Sequence, residues 1–293
     1  VAGTKYGLAK KATIVPVKVL SCAGSGSYSG IIAALDWIRA NHPAGTPGVV
    51  NMSIGGPTNA AMTAAVENLT AAGVLSVVAA GNSNTDACTS SPASAPNALT
   101  VAASNQTDAR AYFSNYGNCV DIFAPGMAII SDDAFAAGGS KSMSGTSMAS
   151  PHVAGAAALV LGQNPRFSPA EVTAALKDNA RQGVITDAKS ANSGLLNIQF
   201  LNATTPPTPP IIGVPDAPTG VAVSGITKTD AVVNWVAPLS DGGAAVTGYK
   251  VEYRSSAVSA WQQISATTNT ATLTGLTGAT NYQVQVSAMN LAG

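Results

Sequence analysis

The run "VVNMSIGGPTNAAMTAAVENLTAAGVLSVVAAGN", Val49 to Asn82, holds one whole strand–helix–strand unit. Val49–Ile54 reads as a strand. Thr58–Ala72 reads as a helix, with Gly73 where a C′ glycine belongs. Val74–Ala80 (VLSVVAA) reads as a buried strand. The pattern spreads in both directions. Thr13–Leu20 (TIVPVKVL) is expected as a strand. Ser29–Asn41 is expected as a helix with Ile31, Leu35 and Ile38 on one face and Ser29 as its cap. Ala98–Ala102 and Val120–Phe123 are expected as further strands. This alternation predicts an α/β fold, a parallel sheet with helices on both faces. Sites in such sheets form at the carboxyl ends of the strands.

Composition narrows the function classes. The 293 residues carry 14 Lys+Arg and 14 Asp+Glu, so the net charge is zero. That balance points away from nucleic acid and anionic membranes. Charged residues are 10% of the chain, against about 25% in an ordinary soluble domain. The surface must therefore be built from Ser, Thr, Asn, Gln and Gly, as is common in secreted proteins. No apolar run approaches the roughly 18 residues of a membrane span. The first residue is Val1 rather than Met, as expected of a processed or truncated product. Three cysteines, Cys22, Cys88 and Cys119, are either all buried and reduced, or two of them pair and the third has lost its partner.

The pattern changes after residue 202. Residues 203–214 are Pro/Thr-rich and are expected to form an extended spacer. Residues 215–293 read as short strands with turn signals: Ala231–Val236 with Trp235, Thr247–Tyr253, Thr270–Leu273 and Tyr282–Ala288. This predicts a small all-β sandwich, and Tyr282 stands where a tyrosine corner would sit. The stretch resembles a fibronectin type III domain whose last strand is missing. Such a module would anchor its neighbour to a polymer or a surface. The organisation expected is thus residues 1–202, a linker, and residues 215–293.

Chemistry concentrates in "MSGTSMASPHVAG", Met143 to Gly155. A serine hydroxyl is a weak nucleophile and needs a base and donors for the oxyanion. Gly145-Thr146-Ser147 makes a tight turn into an Ala-rich helix, where backbone N–H groups lack partners. A serine before a helix is also a common N-cap, so the turn alone leaves Ser147 open between the two roles. The whole run S-G-T-S-M-A-S-P-H-V-A-G closely resembles the nucleophile motif of the subtilisin-like serine proteases. Other segments match in order over Val1 to Asn202, and they look closest to the proteinase K and aqualysin branch.

The resemblance implies roles residue by residue. "AAGNSN" puts the oxyanion-hole side chain at Asn82. Gly24, Ser25, Gly26 and Tyr28, with Ser53, Ile54, Gly55, Ala80 and Gly81, would line a cleft that holds a peptide as an added strand. Cys88 and Cys119 would form a disulfide, which leaves Cys22 unpaired. No catalytic cofactor is implied. A structural calcium would sit on the carbonyls of Pro96 and Ala98 and the carboxylate of Asp121. Asp132 and Asp133 read as solvated. The implied protein is a secreted, monomeric endopeptidase acting on proteins and peptides.

A base for Ser147 is hard to find. His152 lies five residues on, about 140° around a helix, so the two side chains diverge. His42 ends the first helix and reads as a solvated or helix-terminal residue. Neither D-[ST]-G nor H-G-T-H occurs. The opening "VAGT" resembles the tail of the histidine motif, so the triad histidine and aspartate are expected upstream of Val1. These residues alone would then be inactive. A second reading is a non-catalytic binding or adhesion scaffold. A third, an α/β-hydrolase esterase, wants G-x-S-x-G, and Ala149 stands in place of the last glycine.

Overall fold

The computed structural model describes residues 1–133, 136, 138–202, 213–256, 259–290 and 292. They fall into two compact units, Val1–Pro209 and Pro210–Gly293. The spacer expected over 203–214 lies outside the described residues except for Gly213 and Val214.

The first unit opens with helix α1 (Tyr28–Asn41). Ser27, not Ser29, caps it: the Ser27 hydroxyl accepts the Gly30 N–H at 3.1 Å. Strand β1 (Gly48–Met52) follows, then a two-residue strand β2 (Gly56–Pro57). Helix α2 (Ala60–Ala71) is capped by Asn59, whose side chain accepts the Met62 N–H, and Gly73 closes it with φ +88. Strand β3 (Val74–Ala79) is buried at every position. A short strand β4 (Ser90–Ser91) pairs with β2. Strands β5 (Leu99–Ser104) and β6 (Ile122–Pro125) complete a four-stranded sheet in the order β1-β3-β5-β6, parallel throughout. A hairpin, β7 (Ile129–Asp132) with β8 (Ser140–Met143), leads into helix α3 (Thr146–Gln163), and helix α4 (Pro169–Asp178) comes next.

Helices cover both faces of the sheet, because alternate residues of each strand serve different cores. Leu75 and Val77 of β3 face a core shared with Val153, Ala157 and Val160 of α3 and Leu176 of α4. Val74 and Val78 face the other, shared with Leu35 of α1 and Met62, Val66 and Leu69 of α2. Helix α3 needs apolar residues nearly all round, since most of its length is buried.

Thr13–Leu20 corrects the sequence reading. No strand forms there, and Ile14 and Val15 are 58% and 65% exposed. A strand exists only through its ladder, and among the described residues nothing pairs with this run.

The second unit is a sandwich of two antiparallel three-stranded sheets. Strands β9 (Thr219–Ser224), β10 (Ala231–Val236) and β13 (Thr270–Leu273) form one, in the order β13-β10-β9. Strands β11 (Gly248–Arg254), β12 (Gln262–Ala266) and β14 (Gln283–Met289) form the other, in the order β12-β11-β14. Strands β9 and β12 were not anticipated. Trp235 meets Tyr249 edge-on at 5.2 Å in the core between the sheets. The Tyr282 hydroxyl accepts the Thr277 N–H at 3.0 Å, a tyrosine corner. No helix among the described residues is long and apolar enough to cross a membrane.

Candidate active site

Ser147 is the second residue of α3, and Gly145 rather than Ser147 is the N-cap. Its N–H therefore lies in the first turn, where helix donors have no internal partner. Pro151 lies four residues on inside the helix. Proline has no N–H, so it cannot donate to the Ser147 carbonyl. Ser53, just beyond β1, donates its hydroxyl to that carbonyl at 2.8 Å instead. The Ser147 hydroxyl in turn donates to the Ser53 carbonyl at 3.2 Å. Behind this pair, the Ser150 hydroxyl donates to Asn51 Oδ1 at 2.8 Å, and Asn51 Nδ2 donates to Ser53 Oγ at 3.0 Å.

Asn82 lies past the carboxyl end of β3. Its Oδ1 accepts both the N–H and the hydroxyl of Thr146, at 2.8 and 2.9 Å. With the oxygen so occupied, the amide can turn only its Nδ2 toward the cleft. Thr146 is fully buried, and its Oγ1 also accepts the Gly81 N–H at 3.1 Å. A methyl built on Gly145 would stand 3.5 Å from Asn82 Nδ2 and 3.6 Å from the Ser147 nitrogen. The missing side chain thus leaves one small space bordered by two donors and by Met148 Sδ at 3.6 Å.

The expected cleft residues gather in two places. Gly24, Ser25, Gly26, Tyr28, Ser53, Ile54 and Gly55 line a cleft of about 480 Å³. Sequence reasoning missed its apolar walls, Leu20, Ile31 and Met62, and also Ser91 of β4 and Pro92 after it. The Tyr28 hydroxyl donates to the Pro57 carbonyl. Burial pushes the Tyr28 phenol above its usual pKa. Ala80 and Gly81 lie outside this cavity: Ala80 N–H bonds the Val101 carbonyl, and Gly81 leans on Thr146.

Neither histidine bonds Ser147. His152 Nδ1 shares a hydrogen bond of 2.8 Å with the Met148 carbonyl on its own helix. Burial holds its pKa below the ordinary histidine value, against the pull of that carbonyl. His42 caps α1, and its Nε2 pairs with the Thr46 carbonyl at 2.9 Å.

Cys88 and Cys119 form a disulfide, and Cys22 is a free, exposed thiol. The calcium ligands implied by the resemblance do not fit a cation as they stand. Asp121 Oδ1 accepts Lys177 Nζ at 3.0 Å, and Oδ2 accepts the Thr100 N–H at 2.9 Å. An ammonium group already stands against the carboxylate that would have to bind the ion. Among the described residues, no group of three or more His, Cys, Asp or Glu could hold a metal.

Comparison with known proteins assigns each unit to a family. The Subtilase family matches residues 2–199, and the Fibronectin type III domain matches residues 216–293. The chain is 50% identical over 196 residues to an alkaline serine exoprotease A of Vibrio alginolyticus, covering 67% of this chain and 36% of that protein. It is also 50% identical over 196 residues to an extracellular serine proteinase of Thermus sp. (strain Rt41A), covering 67% of this chain and 47% of that protein. The chain thus spans less than half the length of these relatives. The crystal structure of a cold adapted subtilisin-like serine proteinase superposes with a TM-score of 0.64 at 46% identity, covering 67% of this chain and 70% of that one.

Proposed function

Because this chain belongs to the subtilase family of serine proteases, we propose that it carries the nucleophile and the oxyanion donors of a peptide-bond hydrolase. Ser147 Oγ attacks the scissile carbonyl carbon and forms an acyl-enzyme. Asn82 Nδ2 and the Ser147 N–H hold the developing oxyanion. The observation that carries this reading is the gap beside Gly145, with both donors within 3.6 Å of one point. Losing a side-chain donor of this kind costs about 3–4 kcal/mol of transition-state stabilisation, a figure that comes from a subtilisin.

The proton of Ser147 needs a base, and a backbone carbonyl is not one. We propose that a histidine and its aspartate partner are supplied from outside these 293 residues, which are inactive alone. In support, both histidines of the chain are bound to backbone carbonyls elsewhere. The base takes the hydroxyl proton and passes it to the leaving amine, and water then cleaves the ester. A peptide would lie along Gly24–Tyr28 and Ser53–Gly55, with Ala80 and Gly81 beyond. The glycines let its backbone come close. Action outside the cell on protein substrates agrees with the low charge and with the extracellular Thermus relative. The sandwich unit would tether the enzyme to a polymer or surface.

The test is casein hydrolysis and fluorophosphonate labelling of the full-length gene product. Ser147→Ala should abolish labelling and lower turnover about a millionfold, again a figure known from a subtilisin. Hydrolysis that survives the substitution would overturn the proposal. The binding-scaffold reading draws on one observation, the Ser147 hydroxyl bonded to a carbonyl. It predicts a full-length product that binds peptides but takes up no label.

A further inference from the structure

We propose that Asn115, a residue outside the cleft, is the positioning residue of the loop that carries Asn82. The proposal rests on the protease reading given above. Asn115 is 3% exposed and belongs to no regular element. Its Nδ2 donates to the Ala80 carbonyl at 2.9 Å. Its Oδ1 accepts the Ser83 N–H at 2.9 Å, the Thr85 N–H at 3.2 Å and the Thr85 hydroxyl at 3.4 Å. Its own N–H donates to the Gly81 carbonyl at 2.9 Å. One residue therefore holds positions 80, 81, 83 and 85, on both sides of Asn82, and leaves 82 and 84 to other partners.

The loop needs such a template because strand β3 ends at Ala79 and the sheet ladder stops guiding the chain. Residues 80–85 must turn so that Asn82 faces Thr146. The bends require acceptors for donors at 83 and 85 and a donor for the carbonyl at 80. A carboxamide is the short side chain that supplies both kinds of group at once. Gly81 fits the same account. Its φ is +106, and a Cβ there would come within 2.4 Å of Asn115 Nδ2. The loop passes over Asn115 only because residue 81 has no side chain. Arg110, buried at 6% exposure, fixes the far end by donating to Asn84 Oδ1 at 2.9 Å. Asn115 touches neither Ser147 nor the gap beside Gly145, so it acts through Asn82.

Asn115→Ala should lower kcat by about 10- to 100-fold, as displacement of a reacting group's support does, with KM changed less than about threefold. The decisive measurement is a double-mutant cycle with Asn82→Ala in the full-length gene product. Once Asn82 is gone, Asn115→Ala should cost less than about twofold in kcat. An equal loss in both backgrounds, or a change confined to KM, would overturn the proposal while Ser147→Ala remained inactive. An active Ser147→Ala protein would remove the protease reading and this one with it. If Asn115→Ala does not accumulate, Asn115→Asp takes its place in the same cycle. It keeps the volume and the acceptor but sets a carboxylate oxygen against the Ala80 carbonyl.

Discussion

Ser53 and Ser147 exchange hydrogen bonds: each hydroxyl donates to the other's carbonyl, at 2.8 and 3.2 Å. The exchange exists because Pro151 leaves the Ser147 carbonyl without its helical donor. Ser53→Ala should therefore cost about 1–2 kcal/mol of stability, the price of a part-buried acceptor left unmet. In a Pro151→Ala background residue 151 gains an N–H, and the same substitution should cost less than half as much. Urea denaturation of the four proteins checks this. Equal costs in both backgrounds would show that the proline has no part in the pairing.

Thr146 grips Asn82 with two bonds and takes a third from Gly81. Thr146→Val keeps the shape and the backbone bond but removes the hydroxyl. The expected loss in kcat is about tenfold, or roughly 1.4 kcal/mol. Thr146→Ser should restore most of it. Steady-state kinetics on a peptide amide gives the comparison, and a Val variant at full rate would refute the role of the hydroxyl.

Lys177 and Asp121 make a part-exposed ion pair, with side chains 33% and 23% exposed. Such a pair contributes on the order of 1 kcal/mol. The larger consequence concerns metal dependence. Chelation should leave the melting temperature unmoved through this site. Lys177→Met should uncover Asp121, so that millimolar calcium raises the melting temperature of the variant alone. A wild-type melting temperature that falls with chelator, but no longer does so in Asp121→Asn, would reverse the assignment.

His152 is held neutral by burial, its pKa lowered from the ordinary value near 6.5. Below that pH the unfolded chain binds a proton more readily than the folded one. Stability from this residue is thus complete above about pH 6.5 and is lost as the pH falls toward the lowered folded value. Chemical denaturation between pH 7.5 and 4.5, run beside His152→Gln, isolates it. A variant with the same slope as wild type would rule the histidine out.

Much of the sheet could be read in advance. A parallel strand buried on both faces is a plain apolar run, and Val74–Ala79 is one. Thr13–Leu20 is also rich in β-branched residues, but it carries Pro16 and Lys18 and has no ladder. Capping was ambiguous for a simpler reason. Ser27 and Ser29 both stand near the start of α1, and only geometry decides which hydroxyl reaches the Gly30 N–H. Ser147 and Asn82 were legible because each sits in a distinctive local motif. Thr146 lies inside that motif, yet its grip on Asn82 spans 64 residues of chain. Asn115 lies in the run "FSNYGNC", Phe113 to Cys119, where nothing marks one amide as a template. The Lys177 contact went unread for a similar reason: it meets Asp121 across 56 residues.

The proline in α3 has a mechanical consequence. First turns of helices fray, since their opening donors have no partners and their end is free to swing. A nucleophile in such a turn would share that motion. The carbonyl freed by Pro151 instead ties Ser147 to the segment leaving β1, whose strand lies in the four-stranded sheet. On the proposed reading, the Ser147 hydroxyl thus borrows the stiffness of the sheet and is uncoupled from the loosest part of its own helix. Less of its freedom then has to be surrendered when a peptide bond arrives.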